Sequence, residues 1–197
     1  MATKTIYIFR HGQTDLNLQH RPGGQLDIPL NETGLQQASE LADKMANISI
    51  EAIYSSPLTR AMQTAQKVAD KTGAIIISAP GLMERNLGKL QGHRVIQTDD
   101  PEKLKNDYTQ TEVYAPTGWV DDVNWRPEDG ETHNESVKRA ERTFMEIIQN
   151  TPYNTIGIST HSGPMRTIIK QVTGESPWVN NCDYVTLVFD GKNWIKN

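Results

Sequence analysis

Arg10, His11 and Gly12 follow directly on the short apolar run Thr5–Phe9, and His161, Ser162 and Gly163 follow directly on another, Thr155–Thr160. Arg60 stands shortly past a third run, Ala52–Ser55, in the first turn of a helical stripe. In open α/β sheets chemistry collects where parallel strands stop, because loop backbone and helix N-termini point into the crevice there. Two arginines can hold a planar or tetrahedral oxyanion through charge-assisted hydrogen bonds, and helix N-termini at Leu58 and Gly163 add dipoles of matching sign. Any one of these groups alone is more often structural. Four of them from separate elements describe a phosphate cradle.

Alternating strand and helix signals account for the cradle's parts. Thr5–Phe9 suits a buried parallel strand. Leu35, Ala38, Leu41, Ala42 and Met45 keep the helical period, behind Thr33 and Gln36 at capping-box spacing. Ala52–Ser55 reads as the next strand. Ser56 and Pro57 read as N-cap and first residue of a helix with the stripe Leu58, Ala61, Met62, Ala65, Val68 and Ala69. Ala74–Ser78 is a third strand. The stretch Gly81–Gly130 is less regular, with a short helix expected at about Pro101–Thr109 and surface loop elsewhere; loops of this length are commonly lids or binding segments. Thr132 with Glu135 forms a second capping box before Val137, Ala140, Phe144, Ile147 and Ile148. After the strand Thr155–Thr160 a helix starts at Ser162, Gly163 and Pro164, carries Met165, Ile168, Ile169 and Val172, and stops at Gly174. Tyr184–Phe189, the Asp190-Gly191 turn, Trp194 and Ile195 make a terminal hairpin at the sheet edge. The expected fold is therefore α/β, a three-layer α/β/α sandwich whose mostly parallel sheet has an antiparallel edge.

At 197 residues, with 36% apolar and 22% charged side chains, the chain has the length of one domain with a sizeable core. Mean hydropathy is −0.59 and no run approaches a membrane span, nor does the N-terminus have a signal-peptide pattern. A cytoplasmic protein is expected, with no membrane partner. The formal charge of −4 disfavours nucleic acid as a partner. Ten acidic against three basic residues fall between Asp99 and Glu131, so an anion site belongs away from that segment. Cys182, the sole cysteine, reads as a buried structural thiol. His20, His93 and His133 lack metal-ligand spacing and read as solvated or capping groups. Glu131 reads as a helix-dipole group. Tyr108, Tyr114, Trp119 and Trp125 either wall a pocket or pin the irregular segment to the core.

The ordered motifs resemble those of the histidine phosphatase superfamily, the phosphoglycerate-mutase-like proteins. They are Arg10-His11-Gly12-Gln13-Thr14 with Asn17; Asp27, Pro29, Leu30 and Gly34; Ser55-Ser56-Pro57-Leu58-Thr59-Arg60-Ala61; Glu84, Gly88 and Gly92; and Thr160-His161-Ser162-Gly163. The resemblance implies one phosphatase domain over 1–197, with a lid or substrate segment at about 93–130. It implies that His11 attacks phosphorus to give a phosphohistidine. Arg10, Arg60 and His161 would hold the nonbridging oxygens, with Asn17 and Ser162 as further phosphate ligands, and no metal or cofactor is called for. Glu84 would be the general acid, whose protonated form the neighbouring phosphate favours. Leu16 and Gln25 stand where many relatives carry tryptophan or another larger residue, which leaves substrate choice open. The chain is also shorter than the glycolytic mutases of this family, and a reduced cover favours hydrolysis. The expected function is a phosphomonoesterase for a small phosphorylated metabolite, as monomer or homodimer. The alternatives are a 2,3-bisphosphoglycerate-dependent phosphoglycerate mutase and a noncatalytic phosphate-binding module.

Overall fold

In the computed structural model, which describes residues 2–195, the chain runs β1 (Lys4–Arg10), α1 (Asp15–Leu18), α2 (Glu32–Met45), β2 (Ala52–Ser55), α3 (Thr59–Thr72) and β3 (Ile75–Ser78). It continues with β4 (Arg94–Thr98), β5 (Glu112–Pro116), α4 (His133–Asn150), β6 (Thr155–Thr160), α5 (Ser162–Thr173), β7 (Tyr184–Phe189) and β8 (Trp194–Ile195). Six strands form one sheet in the order β3-β2-β6-β1-β7-β8. The first four of these are mutually parallel, while β7 runs antiparallel to β1 and to β8.

Side chains alternate across a strand, and β1 uses both faces. Ile6 and Ile8 join Ile156, Ile158, Phe144, Ile148, Met165 and Ile168 beneath α4 and α5. Phe9 joins Ile53, Leu41, Met45, Ala65 and Val68 beneath α2 and α3. These two cores on opposite faces make the three-layer α/β/α sandwich with an antiparallel edge. None of the helices among the described residues is long and apolar enough to cross a membrane.

Several local expectations are corrected. The N-cap of α2 is Asn31, whose side chain accepts from Gly34 N at 2.9 Å, so the Thr33/Gln36 pair lies inside the helix, and Leu35 on its stripe is partly exposed. The helix α3 begins at Thr59, capped by Leu58 without a side-chain bond, because Ser56 is drawn toward the site instead. Pro101–Thr109 forms turns rather than a helix. The segment expected to be loop contains β4 and β5, a separate parallel pair with Val95 opposite Val113. Val113 and Ala115 are buried with Leu87 and Leu90 in a third small core. Period-two burial on one face was present in Glu112–Pro116, but a parallel pair joined by turns lacks the helical crossover that normally signals it.

Candidate active site

The sheet register builds the site. Arg10 pairs with Thr160 across β1 and β6, so the next residues leave the strand ends side by side. The rings of His11 and His161 are consequently 5.0 Å apart between centroids, and both are buried. On the other side of β6, Ser55 pairs with Ser159, which brings Ser56 Oγ to 2.8 Å from His161 Nε2. Gly12 and Gly34 allow the first loop to press on the start of α2: a Cβ on Gly12 would lie 2.4 Å from Gly34 O.

Hydrogen bonding to a carbonyl assigns the His11 tautomer. A carbonyl only accepts, so His11 Nδ1 donates to Gly12 O at 2.6 Å and its Nε2 carries the free lone pair. Ser56 Oγ accepts from Leu58 N at 3.4 Å and shares a hydrogen bond of 2.8 Å with His161 Nε2; with the hydroxyl as donor, the His161 proton sits on Nδ1. Burial, then Arg60 and Arg10, push His11 well below its ordinary value. Burial, then His11, Arg60 and Arg10, do the same to His161. Both rings are therefore neutral at pH 7.

Among the described residues, the buried side-chain atoms without a protein partner are His161 Nδ1 and Arg10 Nε. Arg10 Nε is a donor. An unsatisfied buried donor costs about 1–3 kcal/mol, so unpaired polar atoms of this kind beside the neutral His11 ring suit a bound anion.

The arginines are anchored as well as charged. Arg10 NH1 donates to Val179 O at 2.8 Å. Arg60 donates to Leu26 O at 2.7 Å and to Gly24 O at 2.6 Å, which ties the Gly24–Leu26 loop to the first turn of α3. Burial lowers Arg60 to about 10, so it remains a cation at neutral pH. Asn17 takes part in a capping box of α1: its Oδ1 accepts from Thr14 N at 3.2 Å, and among the described residues its Nδ2 has no protein acceptor. Ser162 is the first residue of α5, half-buried next to His161.

Glu84 reaches the same place from the loop after β3. Its carboxylate accepts from Arg85 N at 2.9 Å and from Gly163 N at 3.2 Å, at the N-terminus of α5. Gly163 is needed there, since a Cβ would lie 2.4 Å from Glu84 Oε1. Sequence reasoning missed what holds this loop. Arg139, on α4, donates to Gly81 O and Met83 O at 2.8 Å each, and to Glu84 O at 3.2 Å. It also pairs with Glu131 at 2.5 Å, with both side chains less than one-fifth exposed. Glu131 is thus an ion-pair partner and accepts from Asn86 N at 2.7 Å, which corrects its reading as a dipole group. Asn181 was missed too: its Nδ2 donates to His11 O at 2.9 Å, from 170 positions away in sequence. An arginine at an ordinary polar position of α4 and an asparagine in a loop carry no local signal.

A cavity of about 700 Å³ opens beside Arg10 and Asn17, with Val95, Trp119, Val120 and Trp178 among its walls. Trp119 therefore does both things expected of the aromatic set, packing on the third core and lining the cavity. Tyr108, Tyr114 and Trp125 border a separate hollow of about 260 Å³. His20 lines the main cavity, His93 bonds Gln110 O, and His133 is half-buried, lowered by burial and by Arg85. No group of three His, Cys, Asp or Glu among the described residues could hold a metal ion. Cys182 is half-buried rather than buried, and desolvation pushes its thiol up to about 12.

Residues 6–196 match the family profile of the histidine phosphatase superfamily, branch 1. A glucosyl-3-phosphoglycerate phosphatase of Mycobacterium tuberculosis is 32% identical over 154 residues, 77% of this chain. The chain spans 64% of that relative's length. Phosphoglycerate mutase-like protein 4 of Arabidopsis thaliana is 30% identical over 198 residues, covering 96% of this chain and 81% of its own. The solved structure of a mycobacterial glucosyl-3-phosphoglycerate phosphatase complexed with VO3 superimposes with a TM-score of 0.77 at 25% identity, over 98% of this chain and 96% of that one. With the family profile matched over residues 6–196, the chain belongs to the histidine phosphatase superfamily, branch 1.

Proposed function

We propose that the protein is a phosphomonoesterase that hydrolyses a small phosphorylated metabolite through a phosphohistidine on Nε2 of His11. The observation that carries this reading is the pair of buried polar atoms without partners, Arg10 Nε and His161 Nδ1, beside a histidine whose Nε2 lone pair is free. In the first step Nε2 attacks phosphorus, the P–N bond forms and the ester P–O bond breaks. Glu84 gives its proton to the departing alkoxide. Arg10, Arg60, His161 and Asn17 hold the three equatorial oxygens, with Ser162 at the helix start as a further ligand. In the second step Glu84 takes a proton from water, the resulting hydroxide attacks phosphorus, the P–N bond breaks and inorganic phosphate leaves.

Hydrolysis is preferred to mutase action because the cavity wall includes Trp178 and Val120, which are 76% and 54% exposed. A mutase must keep water from its phosphohistidine. In the same reading the enzyme is cytoplasmic, a monomer or homodimer, and one domain with a substrate segment at about 93–130. Its net charge of −4 suits a small phosphorylated partner better than nucleic acid.

Rapid quench with a ³²P-labelled ester is expected to trap acid-labile label on His11, and His11→Ala to lose both label and turnover. Label on another side chain, or none during steady turnover of p-nitrophenyl phosphate, would overturn the mechanism. Vanadate binding without turnover of any ester would favour the noncatalytic module, and phosphoglycerate interconversion far outpacing phosphate release would favour the mutase.

A further inference from the structure

A neutral imidazole has one hydrogen to place on either of two nitrogens, and a phosphate oxygen is served only by the nitrogen that carries it. For His161 the group able to set that choice lies behind the ring. Ser56 follows β2, is fully buried, and brings its Oγ to 2.8 Å from His161 Nε2. The pairing of Ser55 with Ser159, and the bond from Ser56 N to Ser159 O at 3.0 Å, fix this serine against β6, the strand that ends in the histidine.

The contact could run in either direction, and the surroundings of the hydroxyl decide it. Leu58 N, at 3.4 Å, is a donor and occupies a lone pair of Oγ, so it cannot take the hydroxyl hydrogen. Among the described residues that leaves His161 Nε2 as the acceptor the Ser56 side chain can reach. The reverse direction strands a hydroxyl hydrogen in a dry interior. It also leaves the buried Nδ1 as a bare lone pair beside the place where phosphate oxygens would sit, which opposes anion binding.

Charge around the ring makes the choice matter. Burial, then His11 and Arg10 at the end of β1, Arg60 on α3 and Arg139 on α4, keep His161 neutral. Glu84 stands nearby, against Gly163 N at the start of α5. A ring held neutral cannot donate from both nitrogens. A hydrogen supplied to Nε2 therefore commits the ring's own hydrogen to Nδ1, which has no protein partner.

We propose that Ser56 is a positioning residue for phosphoryl transfer: its hydroxyl donates to His161 Nε2, locks the ring in the Nδ1–H form and presents that hydrogen to a phosphate oxygen. Ser56 acts through His161 and does not itself touch the substrate. The role rests on the phosphomonoesterase reading and deepens it.

The test compares wild type with Ser56→Ala, Ser56→Cys and Ser159→Ala. The last removes another fully buried hydroxyl, the donor to Ala61 O at 2.8 Å, and serves as the structural control. Long-range ¹H–¹⁵N spectra of the whole labelled protein read the His161 tautomer, with His161→Gln assigning the signal. Wild type is expected to carry the hydrogen on Nδ1, and Ser56→Ala to show a share of the Nε2–H form. With p-nitrophenyl phosphate, Ser56→Ala should lose about ten- to hundredfold in kcat/KM, and inorganic phosphate should inhibit it correspondingly less. Ser56→Cys keeps the shape with a weaker donor and should fall in between, which preserves the test if the alanine variant does not fold. Ser159→Ala should keep the wild-type tautomer and most of the activity. A wild-type ring protonated on Nε2 overturns the proposal. So do folded Ser56 variants with wild-type spectra and kinetics, or an equal loss in Ser159→Ala. Absence of p-nitrophenyl phosphate hydrolysis by wild type sinks the phosphomonoesterase reading instead, whereas turnover with an Nε2–H ring sinks the role of Ser56 alone.

Discussion

His11 Nδ1 donates to the carbonyl of the residue that follows it, and this bond selects the nitrogen that can react. The ring's depressed basicity keeps that nitrogen unprotonated as the medium is acidified. An NMR titration of the ligand-free protein is expected to show no inflection near 6.5 for His11 or His161, since burial and the arginines lower both. The sign for stability follows. Well above about 6.5 the two rings are neutral folded and unfolded, and contribute no pH dependence. Below about 6.5 only the unfolded chain takes up their protons, so the folded state loses about 1.4 kcal/mol per pH unit for each ring. Urea midpoints measured at pH 7 and 5.5 should record that loss, with a shallower slope in His11→Gln. Glu84→Gln is expected to slow turnover by about 10²–10⁴ for alkyl esters and far less for p-nitrophenyl phosphate. Arg10, His11, Arg60 and His161 were legible because each ends or follows a recognisable strand. Glu84 needed the family's motif order, since a loop glutamate has no period. Asn181 was illegible: its partner is a carbonyl 170 positions away in sequence.

Elements deliver these groups through a few contacts that can be broken one at a time. Gly163 leaves room for the Glu84 carboxylate at the start of α5, and Gly163→Ala should push that carboxylate away. Activity on alkyl esters is expected to fall as in Glu84→Gln, with little change in melting temperature, because alanine also favours the helix. Arg139→Leu removes the cation of a mostly buried pair and strands Glu131 with three loop carbonyls. A loss of about 2–4 kcal/mol in urea unfolding is expected, together with a drop in kcat that is largest for poor leaving groups. Helix stripes and the Thr132/Glu135 box stood out in the sequence because they are local and periodic. The caps of α2 and α3 did not. Asn31, Thr33 and Ser56 are all plausible cap residues, and the tertiary pull on Ser56 from His161 decided between start points.

At the scale of the molecule the main sheet and the β4–β5 pair are separate hydrogen-bonded units. The smaller one rests on four buried side chains, Leu87, Leu90, Val113 and Ala115, against two large cores in the sandwich. Amide exchange is expected to show the segment 93–130 opening at lower free energy than β1 and β6. Equal protection in both would argue against a substrate segment that opens on its own. The α/β/α order was legible because each βα unit repeats a pattern, whereas the β4–β5 pair is a single departure from it. The position of β1 between β6 and β7 has a consequence for biosynthesis. The strand β1 pairs only with strands made long after it, Thr5 with Thr155 and Val188. Until β6 and β7 have been made its apolar edge waits without neighbours, a state that slows folding and invites aggregation or chaperone capture. His11 beside it therefore meets His161 only after β6 has been made, and nascent fragments that end before β6 lack the site.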